Sequence, residues 1–218
     1  YYTFRNVLTN SYDIFYFDLY EEARPQSVKI FKGEVNDQQG NPVEDAIVEV
    51  SYKESGESVQ VKVNGDDGKF TAVVKVEEEQ DVMITIKKEG FSFDTELIQS
   101  EDVVDPATTT IKGIDMEIDV IEVGKTFTID DILFDTDSYV LSSDSKFILD
   151  QFVKFLNENP GVTVTIQGHT DDLGDNAHNK ELSANRAKSV MDYIISKGIS
   201  VSRLKSAGFG EEKPKVPN

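Results

Sequence analysis

The hydrophobic pattern of the chain changes its period near residue 120, and this change constrains the fold more than any other feature. Before it, short runs rich in β-branched residues alternate with turns of Gly, Asn and Asp, such as residues 64–68. Such runs at regular spacing are typical of an all-β sandwich. The predicted strands cover residues 28–35, 46–52, 59–63, 69–76, 82–87, 91–98 and 111–118.

Beyond residue 120 the apolar residues follow a helical period. Residues 142–159 predict a helix that Pro160 ends, and a second helix is predicted from Ser183, as its N-cap, to Gly198. Strands are predicted on either side of these helices, at residues 127–134, 162–167 and 204–209. The order is βαβαβ, so the predicted fold class is an all-β sandwich followed by an α/β domain.

The first 27 residues form a third part that is rich in aromatic side chains. Residues 13–20 predict a strand, which the charged, proline-containing residues 21–25 end. One strand cannot bury itself, so it either packs on the next domain or is the last strand of an upstream domain. We therefore expect an upstream remnant with a linker over 1–27, the sandwich over 28–122 and the α/β domain over 123–218.

The charge of the chain is placed unevenly. Residues 1–122 contain 27 acidic and 11 basic residues, whereas residues 123–218 contain 14 acidic and 11 basic residues. The acidic part repels nucleic acid and anionic lipid, so nucleic acid is not an expected partner. The chain has no cysteine, which excludes a disulfide framework and a thiol nucleophile. The first residues show no signal peptide, so secretion cannot be inferred from them.

A polar segment after the second strand of the α/β domain is the place where we expect a ligand. Loops at the carboxyl ends of strands commonly bind ligands in open α/β sheets. Asp171 lies in this loop and Arg186 lies near the start of the following helix. Asp accepts from an ammonium and Arg holds a carboxylate with two parallel hydrogen bonds, so together they match an amino-acid zwitterion. The same two residue types also form ordinary surface ion pairs.

The residues around this segment resemble the OmpA-like C-terminal domain. The resemblance is carried by Phe134-Asp-Thr-Asp-Ser138, by Gly168-His-Thr-Asp171, by Asn179-Lys-Glu-Leu-Ser-Ala-Asn-Arg186 and by Gly208-Phe-Gly-Glu211. It spans about ninety residues in the family's order. It implies a non-catalytic module that binds peptidoglycan through the meso-diaminopimelate of the stem peptide, in the periplasm and in association with the outer membrane.

The same resemblance implies roles for individual residues. Asp171 matches the acid that takes the diaminopimelate ammonium, and Arg186 matches the arginine that takes its carboxylate. The other implied binding residues are Asp137 and Ser138 in the first loop, Thr170 beside Asp171, and Asn179 and Leu182 along the pocket. Two departures from the family are Asp172, where a neutral residue is common, and an end at Asn218 that precedes the family's last helix-to-strand segment. We therefore expect the sequence to be truncated.

The β part has its own resemblance, to the carboxypeptidase-regulatory-like sandwich of transthyretin type. It is carried by residues 32–35, 40–43, 46–50, 67–70 and 88–91. The order of the parts is similar to Bacteroidetes outer-membrane proteins of the OmpA family, including the PorE-type proteins of type IX secretion. This implies outer-membrane or secretion-system partners, and it makes residues 1–27 the last strand of a β-propeller.

Three other functions were weighed against wall binding. His169 and His178 are the only histidines, and their spacing fits no usual zinc motif, so no metal or other cofactor is predicted. Glycoside hydrolysis by two carboxylates requires an apolar pocket that raises the pKa of one of them. The sequence shows no such pocket around Asp135 and Asp137, so no enzyme is predicted. The third, a scaffold subunit with a vestigial wall-binding pocket, stays open.

Overall fold

The computed structural model describes residues 2–6, 11–15, 28–63, 67–75, 80–100 and 113–212. Within the first part, β1 (Tyr2–Asn6) and β2 (Ser11–Phe15) form an antiparallel hairpin. The predicted aromatic strand is therefore confirmed over residues 13–15, while its continuation over 16–20 and the breaker at 21–25 lie outside the described residues.

The predicted strands of the β part are confirmed, with ends that shift by up to three residues, while positions 76 and 111–112 of the predicted ranges lie outside the described residues. They form two sheets, which we call the two-sheet unit. One sheet has the order β6-β3-β9 and the other has the order β5-β4-β7-β8. The strands are β3 (Val28–Asn36), β4 (Ile47–Tyr52), β5 (Ser58–Lys62), β6 (Lys69–Lys75), β7 (Val82–Lys87), β8 (Asp94–Ile98) and β9 (Ile114–Glu117).

One hydrophobic core lies within the two-sheet unit. Alternate residues of β3 and β6, such as Phe31 and Val74, belong to the same buried cluster as Val48 and Ile84 of the other sheet. Burial of large apolar side chains contributes about 1.5–3 kcal/mol each. Along β3 and β6, the apolar residues that alternate in the sequence are the ones that point into this core.

The C-terminal part contains two helices and a two-stranded parallel sheet. These elements are α1 (Ser143–Glu158), β10 (Val164–Gly168), α2 (Asn176–Ser196) and β11 (Leu204–Gly208), with a 3₁₀ turn at Val201–Arg203. The predicted helix over 142–159 is confirmed, and it begins after Ser142, whose side chain accepts from the Ser145 amide as the N-cap. Gly198, with φ +98°, follows the end of α2 as predicted.

The predicted first strand of the C-terminal part, residues 127–134, is not formed. Asp131 has φ +61°, which interrupts an extended chain. The Ser145 hydroxyl accepts from the Leu133 amide at 3.1 Å and donates to the Leu133 carbonyl at 3.0 Å, so a side chain satisfies groups that a strand offers to a neighbour. The described order after residue 125 is therefore αβαβ rather than βαβαβ.

The second helix begins eight residues earlier than predicted, with its N-cap at Asp175 instead of Ser183. The Asp175 carboxylate accepts from the amides of Ala177 and His178, which makes Asp175 the N-cap. Ser183 is buried in the middle of α2, where its hydroxyl donates to the Lys180 carbonyl. The prediction of Ser183 as the N-cap was wrong because the first two turns of α2 are polar and show no apolar period.

Helix α1 lies on the outer face of the β5-β4-β7-β8 sheet, and we call this contact the junction. Ion pairs join α1 to the sheet unit along most of the helix length: Asp144 with Lys53 (2.7 Å), Lys154 with Glu49 (3.3 Å) and Glu158 with Lys87 (3.2 Å). The outward-facing Met83 and Thr85 of β7 are fully buried, so this sheet is covered on both faces.

Phe93 of the two-sheet unit completes the core of the C-terminal part. Its ring stacks on Phe152 and Phe155 of α1, with centroids 5.3 and 5.1 Å away. It belongs to the same buried cluster as Leu149 and Ile194. Aromatic pairs of this kind contribute about 0.5–1.5 kcal/mol beyond the burial of their area. The contact between the two parts of the chain therefore combines the stacking of Phe93 with the ion pairs of α1.

Candidate functional site

Two glycines let α2 pack closely on the sheet beneath it. A Cβ on Gly168 at the end of β10 would lie 2.1 Å from the Ser183 carbonyl oxygen, and one on Gly208 of β11 would lie 2.3 Å from the Ala184 nitrogen. Both obstructing atoms are backbone atoms, so no side-chain movement makes room. This contact fixes the loop that follows β10 against the first half of α2.

The loop over residues 169–175, which we call the acid loop, carries Asp171. The buried Asn179 holds this loop, since its Nδ2 donates to the Leu173 carbonyl at 3.1 Å and to the Asp171 carbonyl at 3.4 Å. The Asp171 side chain itself is exposed. Within the described ranges, its carboxylate has no hydrogen-bond or ion-pair partner, so its charge is available to a ligand.

The residues that precede Asp171 have structural roles. The Thr170 amide donates to the Gly210 carbonyl at 3.1 Å, and the His169 ring stacks on Phe209 with centroids 5.5 Å apart. The Thr170 hydroxyl oxygen is buried. The amide of Thr170 therefore fixes the start of the acid loop, whereas its buried hydroxyl has no hydrogen-bond partner among the described residues, and its predicted role in binding stays a prediction.

Arg186 of α2 contacts a second loop, residues 134–138, which we call the cover loop. Its Nε donates to the Ser138 carbonyl at 2.9 Å and its Nη2 donates to the Asp135 carbonyl at 3.1 Å. The guanidinium carbon lies 5.1 Å from the centroid of the Phe134 ring. An arginine has five N–H donors, so these two bonds orient the planar group and leave further donors for a ligand.

Asp137, between the two residues that Arg186 contacts, attaches the cover loop to a second point on α2. Its Oδ1 lies 2.8 Å from His178 Nε2 in the first turn of α2, and its φ is +53°. Asp tolerates this left-handed conformation better than most residues. Sequence reasoning considered His178 only as a metal ligand and missed this contact, because the two residues are 41 positions apart.

The predicted binding residues of α2 lie on one side of the helix. At 3.6 residues per turn, Asn179, Leu182 and Arg186 fall within an arc of about 60°. Asn179 contacts the acid loop and Arg186 contacts the cover loop, so Leu182 lies between the two loops. The acid loop with the exposed Asp171 and the cover loop with the Arg186 guanidinium therefore flank one side of α2, and we call this surface the groove.

Nothing in this groove suggests a metal site. Among the residues that the structure describes, no group of three or more His, Cys, Asp or Glu side chains is arranged to hold a metal ion. The described helices also include none that is long and apolar enough to cross a membrane.

Comparison with known proteins points to one family for this part of the chain. Residues 133–218 match the model of the OmpA family. The peptidoglycan-associated lipoprotein of Rhizobium meliloti (strain 1021) is 38% identical over 85 residues, which are 39% of this chain and 48% of that relative. Outer membrane porin F of Pseudomonas fluorescens is 33% identical over 88 residues, 40% of this chain and 27% of the porin.

Among solved structures, the peptidoglycan-associated lipoprotein from Burkholderia pseudomallei is similar, with 29% identity and a TM-score of 0.38 over 40% of this chain and 74% of that one. The chain spans about half or less of the length of the curated relatives it matches. The matched segment contains both helices, both strands of the parallel sheet, the acid loop and the cover loop. Residues 133–218 are therefore similar to the OmpA family, and we call this segment the OmpA-like domain.

Proposed function

We propose that the OmpA-like domain binds peptidoglycan non-covalently, through the diaminopimelate of the stem peptide, and thereby anchors an outer-membrane-associated protein to the cell wall. The observation that carries this proposal is the pair of charges on the groove: the Asp171 carboxylate has no partner among the described residues, and Arg186 is oriented but only partly used. The relatives named for peptidoglycan association support the same function.

The free end of a diaminopimelate side chain matches this pair of charges. Its ammonium donates to the Asp171 carboxylate, and its carboxylate accepts from the remaining N–H groups of Arg186. Hydrogen bonds to charged groups contribute roughly 1.5–3 kcal/mol each. Two such contacts with some packing on Leu182 give an affinity on the order of micromolar, and many sites on one sacculus add avidity.

Specificity follows from the second charge. A stem peptide with lysine at the third position has the ammonium but lacks the terminal carboxylate, so Arg186 gains no partner. We expect the lysine peptide to bind about tenfold more weakly, which corresponds to the loss of one charge-assisted hydrogen bond.

Calorimetry with a diaminopimelate-containing stem peptide tests the proposal. We expect Asp171→Asn to weaken binding tenfold or more, by about the contribution of one hydrogen bond to a charged group. Asp172→Asn is the matched control, because it removes an equal charge from the same loop. Absence of binding by the wild-type chain, or equal losses in the two variants, overturns the proposal.

The two-sheet unit is proposed to be a spacer of the carboxypeptidase-regulatory type within an envelope assembly such as type IX secretion. Its support is the arrangement of strands in two sheets around one core. Cross-linking of the full chain in cells, followed by identification of attached outer-membrane proteins, tests this. Recovery of cell-wall fragments alone counts against a secretion-system partner.

A further inference from the structure

The cover loop is fastened to α2 at two separate places. Arg186 holds the carbonyls of Asp135 and Ser138, and His178 holds the side chain of Asp137. His178 and Arg186 are eight positions apart, which is about 12 Å along a helix. The loop therefore spans two turns of α2, and Leu182, on the same stripe of the helix, lies midway between the two attachments.

The contact between His178 and Asp137 does not serve the folding of the domain core. Both side chains are more than half exposed, at 53% and 67%. The N-cap of α2 does not depend on the imidazole, because Asp175 accepts from the backbone amide of His178. Exposed pairs of this kind add little to global stability, roughly 0–1 kcal/mol. Their main effect here is on the position of the loop.

We propose that His178 is a positioning residue for wall binding: its bond to Asp137 keeps the cover loop closed, so that Arg186 is oriented before the ligand arrives. This inference rests on the proposed function and gives Asp137 a different role from the ligand contact that the family resemblance implies. Preorganisation of this kind raises affinity because the ordering cost is met before binding.

The route from His178 to the ligand runs through the backbone of the loop. The Ser138 amide donates to the Asp135 carbonyl at 3.1 Å, which closes a turn with Asp137 inside it. The Ser138 and Asp135 carbonyls are the acceptors that orient Arg186. When Asp137 is released, this turn loosens and the guanidinium loses its fixed acceptors.

Stem-peptide affinity and backbone amide exchange, measured on the full chain, test the proposal. We expect His178→Ala to weaken binding about two- to fivefold, the range of one exposed pair, and to speed exchange at Ser138 and Val140. His178→Gln places a donor near the position of Nε2, so it restores both. Lys188→Ala, on the exposed face of α2, is the matched control and changes neither.

A double variant shows whether His178→Ala weakens binding through the lost contact with Asp137 or in some other way. In the Asp137→Ala background, His178→Ala has no further effect if the two side chains act through each other. Additive losses, or wild-type affinity in His178→Ala, overturn the inference while the proposed function stands. If the wild-type chain binds no stem peptide, the proposed function itself fails, and this result is distinct from both others.

Discussion

Charged residues are arranged differently at the junction and at the groove. At the junction, Glu49 is 5% exposed and accepts from Gln60, Lys87 and Lys154. At the groove, the Asp171 carboxylate is exposed to solvent, and it has no partner among the described residues. A buried charge requires partners to offset its desolvation, whereas an exposed one needs none. The difference therefore separates charges that hold the protein together from charges that are free to bind.

The comparison also applies to the two arginines of the C-terminal part. Arg203 donates to the carbonyls of Leu156, Asn159 and Val162, which satisfies the end of α1 and is a purely structural arrangement. Arg186 uses two donors for the cover loop and is only partly engaged. An arginine that uses only some of its N–H donors is held in one orientation and still has donors for a ligand. A ligand-binding residue has to meet both conditions.

The largest effect is expected from Glu49→Ala at the junction. The change leaves Lys154 without its partner and removes one of two partners from the partly buried Lys87, so the free energy of unfolding falls by about 2–4 kcal/mol. Urea denaturation measures this, with the exposed Glu54→Ala as the control. Equal midpoints for the two variants contradict the structural role given to the junction charges.

A loss of stability of intermediate size is expected when the pH is lowered. Burial disfavours the charge of Glu49, but the Gln60 amide and the Lys87 and Lys154 ammonium groups outweigh it, so the pKa of Glu49 is lowered from 4.5. A lowered carboxyl pKa stabilises the fold above the unfolded value, and this contribution is lost as the pH falls through the folded value.

The stability of the wild-type chain should therefore decline below about pH 4.5, and that of Glu49→Gln should decline less steeply there. Thermal unfolding midpoints from pH 7 to pH 3 measure the difference. If the midpoints of the two proteins fall equally with pH, protonation of Glu49 is not the cause of the lost stability.

The smallest effect on stability is expected from Asp171→Asn at the groove. Because the carboxylate is exposed and unpaired among the described residues, its removal should change the free energy of unfolding by less than about 0.5 kcal/mol. The same urea measurement checks this. A loss as large as that of Glu49→Ala removes the distinction between the two regions.

The sequence predicts local elements well where one residue type decides them. Helix α1 was predicted because its apolar residues follow the helical period and Pro160 ends it, and the structure adds the Ser142 N-cap. The start of α2 was missed because residues 176–181 are polar, and only Asp175 marks the beginning. The strand at 127–134 was predicted from real alternation, but the bonds of Leu133 to Ser145 cannot be inferred from spacing.

The junction was beyond sequence reasoning for a different reason. Alternation along β4 shows which residues point to each face, but it does not show that the outer face is covered by a helix about a hundred positions away. Glu49 and Lys154 are 105 positions apart. For the groove, the resemblance supplied Asp171 and Arg186, whereas the His178 contact depends on how the cover loop lies on α2.

Helix α1 has consequences for how the molecule carries mechanical load. The same helix contributes Phe152 and Phe155 to the C-terminal core and sets Asp144 against the sheet unit. Asp150 links α1 in turn to Tyr193 of α2. A force applied at the groove is therefore transmitted from α2 through α1 to the β4 and β7 strands by these side-chain contacts, as well as along the chain itself.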